Sequence, residues 1–141
     1  MDDKYYMRKA LELAKKAYEL DEVPIGCVIV YNNKIIAGGY NRKELDSVAT
    51  YHAEVLAIND ACKKLNTWRL DSCTLYTTME PCMMCTGAII QARIPKVVYG
   101  TNNDSFGYLS KIGNQKNEII GGVLNDECLA IVSNFFKEKR N

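Results

Sequence analysis

Two thiols and one imidazole in this sequence can do chemistry together. Cys82 and Cys85 stand in Pro81-Cys82-Met83-Met84-Cys85, and the chain's only histidine stands in His52-Ala53-Glu54. A Cys-x-x-Cys pair alone serves as a redox couple, as half of a structural zinc clip, or as part of a catalytic metal site. One imidazole and two thiolates are the donor set that holds a catalytic zinc while a fourth position stays open to water. Their charge balances Zn²⁺, and the ion lowers the pKa of its water from about 16 towards about 7. Glu54 follows the histidine by two residues, close to the metal but on a different side of the helix. A carboxylate there can take a proton from the water and hand it to a ring nitrogen or a leaving amine.

Two other readings compete on the same residues. A structural zinc needs a fourth protein ligand from Cys27, Cys62, Cys73 or Cys128, and three of these sit in apolar patterns that suit ordinary buried thiols. A thioredoxin-like redox pair also sits after a strand at a helix start, but it leaves His52 and Glu54 without a role. Met83 and Met84 read as packing residues. Glu80 reads as a second acid near the metal or as a helix-start carboxylate favoured by the dipole.

The elements that must position these groups are legible in outline. Apolar residues from Tyr6 to Leu20 recur at helical spacing with charges between them. Cys27 to Tyr31 is a β-branched apolar run, Asn32-Asn33 a tight turn and Lys34 to Gly38 a returning strand, which together predict a hairpin. Asn41 to Thr50 is polar and reads as irregular. Helices are expected over about 52–65 and 82–92, each opening on the candidate ligands, with strands at 74–78 and 96–99. From Gly100 to about Asn117 the pattern is weak, Ile119-Ile120 suits a short strand, and a last helix begins at Asn125 or Asp126. Helix and strand alternate without repeat or linker, so residues 1–141 are expected to form one α/β layered domain.

Composition bounds the function classes. Hydrophobic residues make up 48% and charged residues 25%, as in ordinary globular proteins, and the net charge of +1 gives no bulk attraction to nucleic acid. Any polyanion site must therefore be a local basic patch. No apolar run is long enough to span a membrane. The N-terminal MDDKYYMRKA lacks the apolar core of a signal peptide, so the six cysteines are expected as reduced thiols in the cytoplasm.

The sequence resembles the bacterial tRNA-specific adenosine deaminases of the cytidine deaminase superfamily. The resemblance rests on EVPIG at 22–26, Tyr40-Asn41, HAE at 52–54, TWRL at 67–70, TLYTTMEPCMMCTGAII at 74–90, KVVYG at 96–100 and GVLNDEC…SNFF at 122–136. HAE with PCxxC is the signature of zinc deaminases at large. TWRL and the C-terminal pattern point to the tRNA branch. The resemblance implies a three-layer α/β/α cytidine-deaminase-like fold with a central five-stranded mixed sheet, as a homodimer. It implies conversion of adenosine to inosine at the wobble position, A34, of a tRNA anticodon loop. One Zn²⁺ per subunit would be held by His52, Cys82 and Cys85, with Glu54 as the proton carrier. Asn41 would hydrogen-bond the flipped base, and the Ala53 backbone amide and the Pro24 region would help line the pocket.

Two departures bear on the substrate. Tyr51 precedes the histidine where the family commonly has a small residue, and it would narrow the pocket, stack on a base or point into the fold. The stretch from Thr101 to Gly121 is shorter than in typical members, although Asn102, Asn103, Asp104 and Ser105 keep it polar. A free nucleobase or nucleoside, such as guanine or cytosine, is the alternative substrate. Candidate phosphate contacts are Arg42, Lys43, Lys111, Lys116, Lys137, Lys139 and Arg140.

Overall fold

The computed structural model describes residues 2–112 and 116–140, without the side chain of Arg140. Helix α1 spans Asp3–Glu19 and starts ahead of its apolar stripe because Asp2 caps it, accepting from the Tyr5 N–H at 3.0 Å. Strands β1 (Gly26–Tyr31) and β2 (Lys34–Tyr40) form the expected hairpin, with Tyr31 opposite Lys34. Both turn residues are left-handed, Asn32 at φ 51° and Asn33 at φ 61°, as a two-residue hairpin turn of matching twist requires.

A four-residue helix α2 (Lys43–Asp46) follows, then α3 (Ala53–Leu65), β3 (Cys73–Met79), α4 (Met83–Gln91) and β4 (Lys96–Thr101). A 3-10 turn at Leu109–Lys111, β5 (Glu118–Ile120) and α5 (Asn125–Arg140) complete the chain. The five strands form one sheet in the order β2-β1-β3-β4-β5. β1 pairs antiparallel with β2 and β3, while β3, β4 and β5 run parallel, so the sheet is mixed.

Alternation along β1 separates two cores. Val28 and Val30 pack with Tyr6, Met7 and Leu11 of α1, Tyr76 and Val98 of the sheet, and Cys128 of α5. Cys27 and Ile29 face the other way, against Ala53, Ala57 and Ala61 of α3 and Ile89 of α4. Burial on both faces explains why β1 reads as a continuous apolar run. The architecture is the expected three-layer α/β/α arrangement around a five-stranded mixed sheet. β2 and α3 approach closely: a Cβ on Gly39 would lie 2.6 Å from the Ala53 carbonyl oxygen.

This topology gathers the chemistry at one end of the sheet. Gly26 lies opposite Tyr40, and Met79 lies beside Thr101. The entry to β1, the exit of β2 and the exits of β3 and β4 therefore emerge together. Ligand clefts in open α/β sheets form outside the carboxyl ends of parallel strands, which is where β3 hands over to α4. Two stretches differ from the sequence expectation. The polar 41–50 segment contains α2, and the weakly patterned 101–117 segment carries the 3-10 turn, whose Leu109 is fully buried.

Candidate active site and metal centre

The three candidate ligands meet because both helices begin at this end. His52 is the N-cap residue of α3 and Cys82 that of α4, with Cys85 one turn further on. The His52 Nδ1 atom lies 3.7 Å from Cys82 Sγ and 3.6 Å from Cys85 Sγ, and the three donor atoms all fall within 4.8 Å of one another. A tetrahedral ion with bonds of about 2.3 Å to sulfur and about 2.05 Å to nitrogen separates those atoms by about 3.6 Å. The donors are thus already spaced for zinc. Among the described residues no further histidine, cysteine or carboxylate joins the group, so the fourth ligand that a structural clip demands is missing. Hydrogen bonding from Cys85, with burial opposing and His52 assisting, favours the thiolate at Cys82.

Glu54 lies in the first turn of α3 and is 4% exposed. Burial pushes its carboxyl up to about 7, against the pull of its own backbone N–H and of His52. A carboxyl with that affinity exchanges a proton readily near neutrality, the property a general acid–base needs. Glu54, His52 and Cys82 line one cleft of about 650 Å³, within the ~300–1,000 Å³ of small-ligand sites. Asn41, Val23 and Ile25 line its inner wall, and Asn102 to Phe106 and α5 form its mouth. Asn41 is buried, and its Oδ1 has no hydrogen-bond partner in the protein. A buried acceptor without a partner, on a residue that lines a cleft, is a place for a ligand donor.

Comparison with known proteins settles the family. The profile of the MafB19-like deaminases matches residues 1–140. The tRNA-specific adenosine deaminase of Bacillus subtilis (strain 168) is 44% identical, over 98% of this chain and 91% of its own length. The chain belongs to the tRNA-specific adenosine deaminase family. A structure from a study of A-to-I editing by tRNA:A34 deaminases at the wobble position of transfer RNA superposes with a TM-score of 0.86. It is 35% identical and covers 90% of this chain and 98% of that one. Guanine deaminase from Nitrosomonas europaea gives the same TM-score at 25% identity, over 95% of this chain and 84% of that one. Family membership makes this protein an enzyme, a hydrolytic deaminase.

For a deaminase of this family, the remaining sequence candidates fall in different places. Asn103 lines the cleft beside Asn41. Pro24 is buried between Val23 and Ile25, which themselves line it, and Ala53 is fully buried at the start of α3. Tyr51 is half-buried and does not line the cleft; its carbonyl accepts from the Arg42 N–H at 3.0 Å, tying the two ends of the 42–51 segment together. Of the basic candidates, Lys43 lines the cleft. Arg42 is engaged by Asp46 at 2.8 Å and by the Tyr40 hydroxyl at 2.7 Å, and Lys139 pairs with Asp21. Lys111, Lys116 and Lys137 are exposed, and the Arg140 side chain lies outside the described residues.

Two buried carboxylates that sequence reading did not assign to this purpose shape the mouth. Glu80, 4% exposed, accepts from the Asn103 N–H at 3.2 Å, from the Ser110 N–H at 2.8 Å and from the Ser110 hydroxyl. Burial opposes its charge, but the Ser110 and Asn103 hydrogen bonds and nearby Lys111 hold its carboxyl below the usual range. The Tyr108 N–H donates to the Pro81 carbonyl at 3.0 Å, and a Cβ on Gly107 would lie 2.5 Å from Glu80 Oε1. Glu22, 2% exposed, accepts from the Glu44 N–H at 3.2 Å and the Leu45 N–H at 2.6 Å, capping α2. A signal was present for Glu22 in EVPIG and for Glu80 in EPC. Only the fold supplied their partners, which lie more than twenty residues away.

Proposed function

We propose that this enzyme converts adenosine to inosine at A34, the wobble position of a tRNA anticodon loop. His52, Cys82 and Cys85 would hold one zinc per subunit. The observation that carries the chemistry is the 3.6–3.7 Å spacing of an imidazole nitrogen and two thiols, with a buried carboxyl of raised pKa in the same cleft. The relative at 44% identity and the tRNA:A34 deaminase structure support the substrate. Members of the family act on an extruded base, which must leave its stack to reach a buried site.

Bound zinc would supply an activated water and positive charge beside the reacting carbon. Glu54 takes one proton of the water and delivers it to the ring nitrogen beside the attacked carbon, then carries the oxygen's second proton to the departing amino group. One water is consumed and one ammonia released. Asn41 offers its unpartnered Oδ1 to a donor on the base, with Asn103 at the mouth; the Ala53 amide and the Pro24 segment back the pocket. Tyr51 acts at one remove, by closing the 42–51 segment around Asn41 and Lys43. We place the enzyme in the cytoplasm as a single-domain homodimer. The relatives named as tRNA-specific adenosine deaminases support that setting.

The likeness to a guanine deaminase favours one second reading, a free nucleobase or nucleoside as substrate. Incubating the zinc-loaded protein with an ACG-anticodon tRNA and sequencing the product separates the two. Inosine at position 34 is expected. Unedited A34 with ammonia released from guanine, cytosine or a nucleoside overturns the tRNA substrate and keeps the deaminase.

A further inference from the structure

Phe106 is 76% exposed, the highest value among the exposed large apolar side chains of the described residues, yet it lines the mouth of the cleft that holds His52 and Glu54. Its backbone is not loose. The Asn103 side chain accepts its N–H at 3.0 Å, and the next residue donates to the Asn103 carbonyl at 2.8 Å. Gly107 also bridges to Cys82, one of the metal-site thiols, and the turn is pinned from below by Glu80. Leu129 and Phe136 of α5, themselves 47% and 44% exposed, line the same mouth. A rigid turn fixed to the metal site thus carries a phenyl ring into solvent at the cleft's entrance.

Resting on the tRNA reading above, we infer that Phe106 stacks on a nucleobase adjoining the edited adenosine, and so selects a polynucleotide over a free nucleoside. The edited base must descend to Glu54 and Asn41, so its neighbours on the strand stay at the mouth. Every base offers a flat π face, and aromatic side chains bind unstacked bases through it with little regard to sequence. A free nucleoside has no second base to place there. The exposed ring is then explained by its ligand, and immobilising the turn beforehand removes the ordering cost of binding.

The test uses the intact zinc-loaded protein and a 17-nucleotide ACG anticodon stem-loop, with matched oligonucleotides carrying an abasic residue at position 33 or at position 35. Affinity is measured by fluorescence anisotropy on Glu54→Ala proteins and editing on Glu54 proteins. Phe106→Ala is expected to weaken stem-loop binding by about 10- to 100-fold, with the loss falling on KM rather than kcat, and Phe106→Tyr to recover most of it. One abasic oligonucleotide should weaken the Phe106 protein by a similar factor and the Phe106→Ala protein far less. Equal stem-loop binding with and without the Phe106→Ala change overturns the inference, while wild-type editing still upholds the tRNA substrate. Additive effects of the Phe106→Ala and abasic changes overturn it too, because they would make the ring merely structural. A wild-type protein that neither binds nor edits the stem-loop overturns both readings.

Discussion

The floor and the mouth of the cleft are held by opposite means. On the floor, His52, Glu54 and Cys82 sit at the starts of α3 and α4, with Cys85 fully buried one turn into α4, and their backbone is fixed by helices packed on the sheet. At the mouth, Asn103, Phe106 and Lys43 sit on short segments whose N–H groups are gripped by the buried carboxylates Glu80 and Glu22. Helix starts place atoms with the sub-ångström consistency that bond-making needs. Loops clamped by a single acid keep a fixed shape yet can change sequence without touching the reacting atoms. Chemistry and selection are therefore separable in this fold: floor substitutions should act on turnover, and mouth substitutions on stability and substrate affinity.

Removing Glu54 should give the largest effect. Glu54→Ala is expected to lower kcat by about 10²–10⁴-fold, while KM changes little. Metal content, read by mass spectrometry, should stay at one zinc per chain, because the proposed ligands are His52, Cys82 and Cys85 and not Glu54. The melting temperature should not fall, since burial disfavours the ionised carboxylate and its removal relieves that cost. Retained turnover, or loss of zinc, would break the assignment of Glu54 to proton transfer.

Glu80 tests the mouth. Glu80→Ala leaves two N–H groups and one hydroxyl without their acceptor, at about 1–3 kcal/mol for each that stays dry. Partial rescue by water makes about 2–4 kcal/mol the expected total, or about 6–15 °C in Tm. KM for the stem-loop should rise about tenfold with zinc retained and kcat within about threefold of wild type. Glu80→Gln, which keeps one acceptor oxygen, should fall between. A kcat loss as deep as that of Glu54→Ala would make Glu80 part of the floor instead.

The same division governs what could be read from the sequence. The convergence of His52, Cys82 and Cys85 was legible because they sit in two local motifs, each at a helix start that periodicity located to within a residue. Left-handed Asn32 and Asn33 likewise announced the hairpin, since their conformation is decided within the turn itself. The alternation of helices and strands pointed to the layers, but the strand order came only with the structure, because pairing across the sheet leaves no local mark. In the sequence Glu80 is a helix-start carboxylate or a second acid near the metal, and Glu22 is part of a motif. What they do depends on N–H groups between 22 and 30 positions away. Leu109 shows the same limit: one apolar residue in a polar stretch has no period, and only its full burial reveals that it anchors the 102–111 segment to the core.

Glu22 offers the finest test, because it holds the segment next to Lys43 and is not one of the candidate metal ligands. Its carboxylate caps a four-residue helix too short to hold itself together, so the acid and the fold around it must supply the order. Glu22→Ala should cost about 0.5–2 kcal/mol, the range for loss of a helix cap, read as a shift in the urea midpoint at unchanged m-value. Lys43 and Asn41 flank that cap, so KM for the stem-loop should rise a few-fold while kcat and zinc content hold. The combined variant Glu22→Ala with Glu80→Ala then decides whether the mouth is one device or two. The two clamps share no partner, so their effects on binding should add to within about 0.5 kcal/mol. Strong coupling would show instead that the two segments close on the substrate as a unit, and that the mouth, like the floor, works as a single piece.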